Sequence, residues 1–269
     1  MPLMYLPDIR LNIRLDGPDA APPLVLLHAL GTDSTLFDPI MPLLPGLRIL
    51  RPDLRGHGAS GVPAPPYTMG ALIHDVERLM DHCTMKDAVV LGVSLGGLIA
   101  QGLAIKRLDL VRAMVLSNTA ARIGSPAMWS DRAAQVAATG LEPYANGAME
   151  RMFGRTWRTE PAMPTARNRL VTTHPQGWIG CAMAIAGTDF FTLTASLTLP
   201  TLVIAGDRDA TTPPDLVRET ADLIKGSQFH LIRGAGHLPL LDKPTQYATL
   251  LTDFLSRIGH LKTPRTPDN

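Results

Sequence analysis

Gly92-Val93-Ser94-Leu95-Gly96 sets a serine between two glycines, each two residues away. A serine hydroxyl attacks a carbonyl only when a neighbouring base takes its proton. The flanks suit that use: the apolar run Ala88 to Leu91 has the character of a strand, and Leu98, Ile99, Gly102, Leu103 and Ile105 follow with helical spacing. The serine therefore falls in a sharp strand-to-helix turn that lifts its hydroxyl out of a sheet. Side chains two residues either side would collide there, and Gly97 lets the helix pack closely. The helix N-terminus adds partial positive charge beneath the reaction centre. The Leu95 N–H then points where the oxyanion of a tetrahedral intermediate would form.

Three histidines lie near the ends of apolar runs: His28, His57 and His237. Only His237, in Gly234-Ala-Gly-His-Leu-Pro239, follows Ser94, and the hydrolase elbows that this turn resembles carry the chain order nucleophile, acid, base. His174 falls in a helical region, His230 within a strand pattern and His260 in the trailing segment. The acid is expected after the run Leu202 to Ala205, where Asp207 and Asp209 both stand. Asp209, farther out along the loop, is assigned as acceptor of the second ring proton. Asp207 is assigned to the turn, and Thr212-Pro213-Pro214-Asp215 to a helix start with Thr212 as its N-cap. A second oxyanion donor is expected from Val25-Leu-Leu-His-Ala-Leu-Gly31, and the Leu30 N–H is assigned, with His28 organising the loop. The polar turn Arg51 to Ser60 is read as a hydrogen-bonded loop scaffold.

A sheet must hold these groups. Ile9, Leu11, Ile13 and Leu15 alternate with Arg10, Asn12 and Arg14, the period of a half-buried strand, and Leu3 to Leu6 can pair with it through Pro7-Asp8. Short, mostly apolar runs without alternation follow at Leu24–Leu27, Leu47–Leu50, Ala88–Leu91, Ala113–Leu116, Leu202–Ala205 and Phe229–Ile232. Strands buried on both faces of a parallel sheet have this character. Helical patterns such as Leu72, Val76, Leu79 and Met80 separate them. The alternation predicts an α/β fold, a mostly parallel eight-stranded sheet with helices on both faces and the first two strands as its antiparallel edge. Residues 121–196 break the rhythm: helical, irregular, with Trp129, Trp157 and Trp178. They are predicted to form a helical cap over the active face, between core segments 1–120 and 197–260. Residues 261–269 are predicted to be a disordered tail.

At 269 residues, 45% hydrophobic and 18% charged, the chain can bury a substantial core as one large domain. A net charge of +1 without long Lys or Arg runs gives no case for a nucleic-acid or acidic-membrane partner. Two cysteines, Cys83 and Cys181, are too few for a disulfide framework and lack metal-ligand spacing. There is no H-x-H or H-E-x-x-H cluster, so no metal is expected. No stretch approaches the roughly 20 apolar residues of a membrane helix. Met1 to Arg14 lacks the pattern of a signal peptide, which makes the cytoplasm the expected setting.

The elbow at Ser94, Asp53-Leu-Arg-Gly-His-Gly58, Gly206-Asp-Arg-Asp209 and Gly234-Ala-Gly-His237 together make the sequence similar to α/β-hydrolases over nearly its whole length. More narrowly, Gly92 to Gly102, Val115 to Ala121, and Pro200 to Asp207 continuing into Thr212 to Arg218 resemble the 3-oxoadipate enol-lactonases of the β-ketoadipate pathway. Ile123-Gly124 and Met128-Trp129 match them as well. The resemblance implies hydrolysis of 3-oxoadipate enol-lactone to 3-oxoadipate in aromatic catabolism, without a cofactor, through Ser94, Asp209, His237 and an acyl-enzyme. Such a substrate carries a free carboxylate, so its pocket needs a cation or donor. Arg132, Arg151, Arg155 and Arg158 are the candidates, with Trp129 as an apolar wall. The same triad would also serve a carboxylesterase, an acyl-homoserine lactonase, a perhydrolase or a carbon–carbon hydrolase. A small-ligand receptor that keeps the triad is the alternative of a different class.

Overall fold

In the computed structural model, residues 3–154 and 156–261 are described, the side chain of Trp157 excepted. Among the described residues eight strands form one sheet: β1 (Leu3–Tyr5), β2 (Arg10–Asp16), β3 (Pro23–Leu27), β4 (Arg48–Pro52), β5 (Ala88–Val93), β6 (Val111–Ser117), β7 (Thr201–Gly206) and β8 (Gln228–Ile232). Their order across the sheet is β1-β2-β4-β3-β5-β6-β7-β8. β2 pairs antiparallel with both β1 and β4, and all other pairs are parallel, so β2 alone runs against the rest.

Every residue of β5 and of β7 is buried. Successive strand side chains point to opposite faces, so the centre of the sheet is covered on both sides. α1 (Met69–His82) opens with Thr68 accepting the Ala71 N–H at 3.1 Å. α2 (Leu95–Lys106) is buried without a break from Leu95 to Ala104, as an apolar helix with no polar stripe must be. β8 departs from the expected two-faced burial: its residues are mostly half-buried and Leu231 is 40% exposed. It is the last strand of the sheet, with β7 as its one partner.

No strand lies between β6 and β7 among the described residues. That interval holds α3 (Pro126–Thr139), α4 (Leu141–Phe153), a 3-10 turn (Trp157–Thr159), α5 (Met163–Thr172), α6 (Pro175–Ala186) and α7 (Phe191–Thr194). Trp178 of α6 ties three of these helices together. Its ring centroid is 6.4 Å from that of Trp129 on α3 and 4.9 Å, edge-on, from that of Tyr144 on α4. After β7 come α8 (Pro214–Leu223), α9 (Pro239–Asp242) and α10 (Pro244–Arg257). No helix among the described residues is long and apolar enough to cross a membrane. Arg155, and all of the expected tail except Leu261, lie outside the described residues.

Candidate active site

Ser94 joins β5 to α2 with φ 54° and ψ −113°, a backbone conformation that non-glycine residues rarely adopt. The turn is held by the Ser94 N–H donating to Ser117 O at 3.0 Å and by the Thr119 hydroxyl donating to Ser94 O at 2.7 Å. The glycines around it are there for space. A Cβ at Gly92 would stand 2.1 Å from Gly96 O, one at Gly96 2.2 Å from Leu27 O, and one at Gly97 2.4 Å from the Thr119 methyl. Leu95 is the first residue of α2, so its N–H is among the donors that helix geometry leaves without an intrahelical acceptor.

His237 sits in the loop between β8 and α9, and Asp209 in the loop after β7. Of the two aspartates, Asp209 is the one that meets the ring, its Oδ2 2.7 Å from Nδ1. Both are buried. The Asp209 carboxylate also accepts Asn118 Nδ2 at 2.9 Å, the Thr212 hydroxyl at 2.7 Å, and the backbone N–H groups of Thr211 and Thr212 at 2.7 and 3.2 Å. Burial opposes its ionisation, but the facing His237 and the hydrogen bonds from His237, Asn118 and Thr212 outweigh burial and hold it below the usual carboxylate range. Asp207 accepts the Gly234 N–H at 2.7 Å, closing the turn beside the loop. Thr212 does not cap α8 as expected. Pro213 takes the cap position, and the Thr212 hydroxyl is spent on Asp209.

With Nδ1 turned to Asp209, the opposite ring nitrogen, Nε2, is the one free to serve Ser94. No hydrogen bond joins Nε2 to Ser94 Oγ in this resting geometry, but both residues line one cavity. Catalytic hydrogen bonds commonly tighten only once substrate is bound. Leu30 lines the same cavity. The backbone on either side of the Leu30 amide is fixed: Ala29 O accepts the Thr32 hydroxyl at 2.8 Å, and the Gly31 N–H donates to His57 Nε2 at 3.0 Å.

His28 and His57 pack with ring centroids 5.3 Å apart, stitching the β3 loop to the β4 loop. His28 Nε2 accepts the Leu54 N–H at 2.8 Å, and its Nδ1 faces Ala29 O at 2.8 Å. His57 Nδ1 likewise faces Arg55 O at 3.2 Å, so each ring accepts through Nε2 and donates through Nδ1, the pattern of neutral imidazole. Burial, and for His57 the adjacent His28, pushes both below the usual histidine range, His57 to about 3. The Arg51 to Ser60 segment is a scaffold: Asp53 accepts Asn12 Nδ2, Ser34 N and Ala59 N within 2.9 Å, and Arg55 forms a buried pair with Asp75 at 2.6 Å.

Apart from Thr211, in the loop after β7, the rest of the cavity wall comes from the helices between β6 and β7: Trp129, Arg132, Tyr144, Arg151, Leu170 and Trp178 among others. Arg132 lies over the Trp129 ring, 4.9 Å from its centroid. Arg151 lies over Tyr144 at 5.3 Å and donates to its hydroxyl at 2.9 Å. Among the described residues neither guanidinium meets a carboxylate. Burial lowers the pKa of Arg132, and the nearby Arg151 charge adds to this against an opposing contribution from Tyr144. Arg158, on the 3-10 turn, is exposed and outside the cavity wall. Sequence reasoning missed Tyr144, seven residues before Arg151 and so on the same face of α4. It also missed Asn118, whose signal was a polar residue directly after the buried strand β6.

The family model for the alpha/beta hydrolase fold matches residues 22–244. The chain belongs to the α/β-hydrolase family. This α/β hydrolase is 33% identical over 255 residues to 3-oxoadipate enol-lactonase 2 of Acinetobacter baylyi, a match covering 94% of this chain and 95% of that protein. The solved enol-lactonase of Burkholderia xenovorans LB400 superposes with a TM-score of 0.90 at 33% identity, covering 95% of this chain and 100% of that one. A hydrolase of Pseudomonas aeruginosa PA01 does so with a TM-score of 0.90 at 34% identity, covering 94% and 97%. The hydrolase is thus similar to enol-lactonases in both sequence and fold.

Proposed function

We propose that this α/β hydrolase opens a small lactone bearing a free carboxylate, 3-oxoadipate enol-lactone, in cytoplasmic aromatic catabolism. The observation that carries the reading is the placement of Arg132 and Arg151. Two cations without an acidic partner among the described residues line the same cavity as Ser94 and His237. Partly desolvated arginines are costly to leave unpaired, and a substrate carboxylate is the natural partner for them. The likeness to enol-lactonases supports the same substrate. In this reading residues 121–196 are a cap that supplies the recognition groups, and the core segments 1–120 and 197–260 supply the chemistry.

His237 Nε2 takes the Ser94 proton as Oγ attacks the lactone carbonyl. The N–H groups of Leu30 and Leu95 hold the oxyanion. Asp209 fixes the ring tautomer and stabilises the imidazolium. Collapse breaks the ring C–O bond, and the departing enol oxygen takes the proton back from His237. An enol oxygen leaves more readily than an alkoxide, and the released enol, still tethered to the acyl chain, tautomerises to the ketone. Water then gives a proton to His237 and attacks the acyl-enzyme, and Ser94 Oγ leaves with that proton. No metal or cofactor enters any step.

Steady-state turnover of enol-lactone generated enzymatically from a muconolactone, beside p-nitrophenyl acetate and an acyl-homoserine lactone, tests the substrate. The expected kcat/KM for the enol-lactone exceeds the other two by roughly a hundredfold or more. Equal or better turnover of either rival would move the assignment to an esterase or a homoserine lactonase.

A further inference from the structure

The loop that carries His237 is held from two sides at consecutive amides. The His237 N–H donates to Met152 O at 2.7 Å, and the Gly236 N–H donates to Asp242 Oδ2 at 2.8 Å. Asp242 reaches back because α9 is a single helical turn. Leu241 N donates to Leu238 O at 2.8 Å and Lys243 N to Pro239 O at 2.8 Å, which folds the chain so that the last side chain of the turn meets the amide six residues earlier. The acceptor is a carboxylate, and its bond to an amide is stronger than one between neutral groups. Gly236 O in turn accepts Asn118 Nδ2, the same amide group that donates to Asp209. The peptide unit preceding the imidazole is thereby pinned at both of its polar ends.

We propose that Asp242 is a positioning residue for His237, acting through the Gly236 amide to set the ring against Ser94. This rests on the reading of His237 as the base that activates Ser94. Asp242 does not line the cavity. Its carboxyl is pushed up to about 6, by burial first and by Glu160, against the Gly236 N–H, Lys243 and Arg208. Glu160 is itself paired with Arg208 at 2.9 Å. Protonation of Asp242 near neutral pH replaces a charged acceptor by a weaker one, so its hold on the loop is a function of pH.

The test is the rate at which a fluorophosphonate labels Ser94, followed from pH 5 to 8.5 in the full chain, with thermal melts of each variant. Asp242→Ala is expected to slow labelling at pH 8 by about tenfold or more, and Asp242→Asn, which keeps a neutral acceptor, to recover most of that loss. The wild-type to Asn ratio should stand above one at pH 8 and converge on one below pH 6. For a turned-over ester, kcat should fall while KM stays unchanged. If Asp242→Ala does not fold, the pH dependence of the Asn ratio decides alone. Labelling of Asp242→Ala at the wild-type rate, or an Asn ratio independent of pH, overturns the proposal. A wild-type protein that is not labelled at Ser94 at all overturns the reading beneath it as well.

Discussion

The Met152 carbonyl accepts the amide hydrogen of His237 at 2.7 Å, and one residue earlier the Arg151 carbonyl accepts that of Ala210 at 2.9 Å. Both carbonyls belong to the last turn of α4, where a helix has acceptors to spare. The loops bearing His237 and Asp209 are thereby joined to the helix whose Arg151 side chain lines the cavity. The approach leaves no room for a side chain, since a Cβ at Gly236 would stand 2.0 Å from Met152 O. Gly236→Ala should push α4 and the His237 loop apart. We expect kcat to fall by about 10- to 100-fold and stability to fall by about 1–3 kcal/mol. Steady-state kinetics and urea denaturation check this, and a variant with wild-type kcat and midpoint would show that the contact positions nothing.

His57 gives a pH dependence whose sign is fixed. Its folded-state pKa, about 3, lies below the ordinary histidine value of 6.5. The unfolded chain therefore binds the extra proton first as the solution is acidified. The stability from neutral, buried His57 is fully present above pH ~6.5 and is lost as the pH falls through that window towards ~3. Thermal melts between pH 7.5 and 4 should show a steeper decline for wild type than for His57→Gln. Gln can still accept the Gly31 N–H but does not titrate. Parallel curves would remove His57 from the account of acid sensitivity.

Six of the strands were legible because a place inside a parallel sheet favours short apolar runs without alternation, and each of the six runs became a strand; the alternating segment Ile9–Leu15 and its neighbour Leu3–Leu6 became β2 and β1. Ser94 and its glycines were legible for a related reason: the close approaches at Gly92 and Gly96 exclude every side chain. The Thr212 role was not legible. Thr-Pro-Pro is a sound helix start by local rules, but the Asp209 carboxylate three residues earlier claimed the hydroxyl, and that carboxylate is fixed by its distant partner His237, which the helix-start pattern does not carry. The same holds for Asn118, and for Arg132 and Arg151 against Arg158. The sequence offers all three arginines alike as partners for a substrate carboxylate, and only the folded arrangement of the helices between β6 and β7 puts Arg132 and Arg151, but not Arg158, along the cavity.

Arg132→Ala and Arg151→Ala are each expected to raise KM for a carboxylate-bearing lactone by about 10- to 100-fold, the worth of a hydrogen bond to a charged group. KM for the methyl ester of the same substrate should move far less, because an uncharged group has no use for the cation. Arg158→Ala should leave both values unchanged. Equal loss on the acid and its ester would mean that the arginines serve packing and not recognition.

The most direct test of the mechanism is a rapid chemical quench during turnover of the enol-lactone, followed by mass spectrometry of the peptide containing Ser94. Ring opening expels nothing from the tethered substrate, so the adduct on Ser94 should equal the mass of the whole lactone. It should form and decay within the catalytic cycle, and it should be absent together with turnover in Ser94→Ala. Sustained turnover by Ser94→Ala, with no adduct on the wild-type serine, would contradict it.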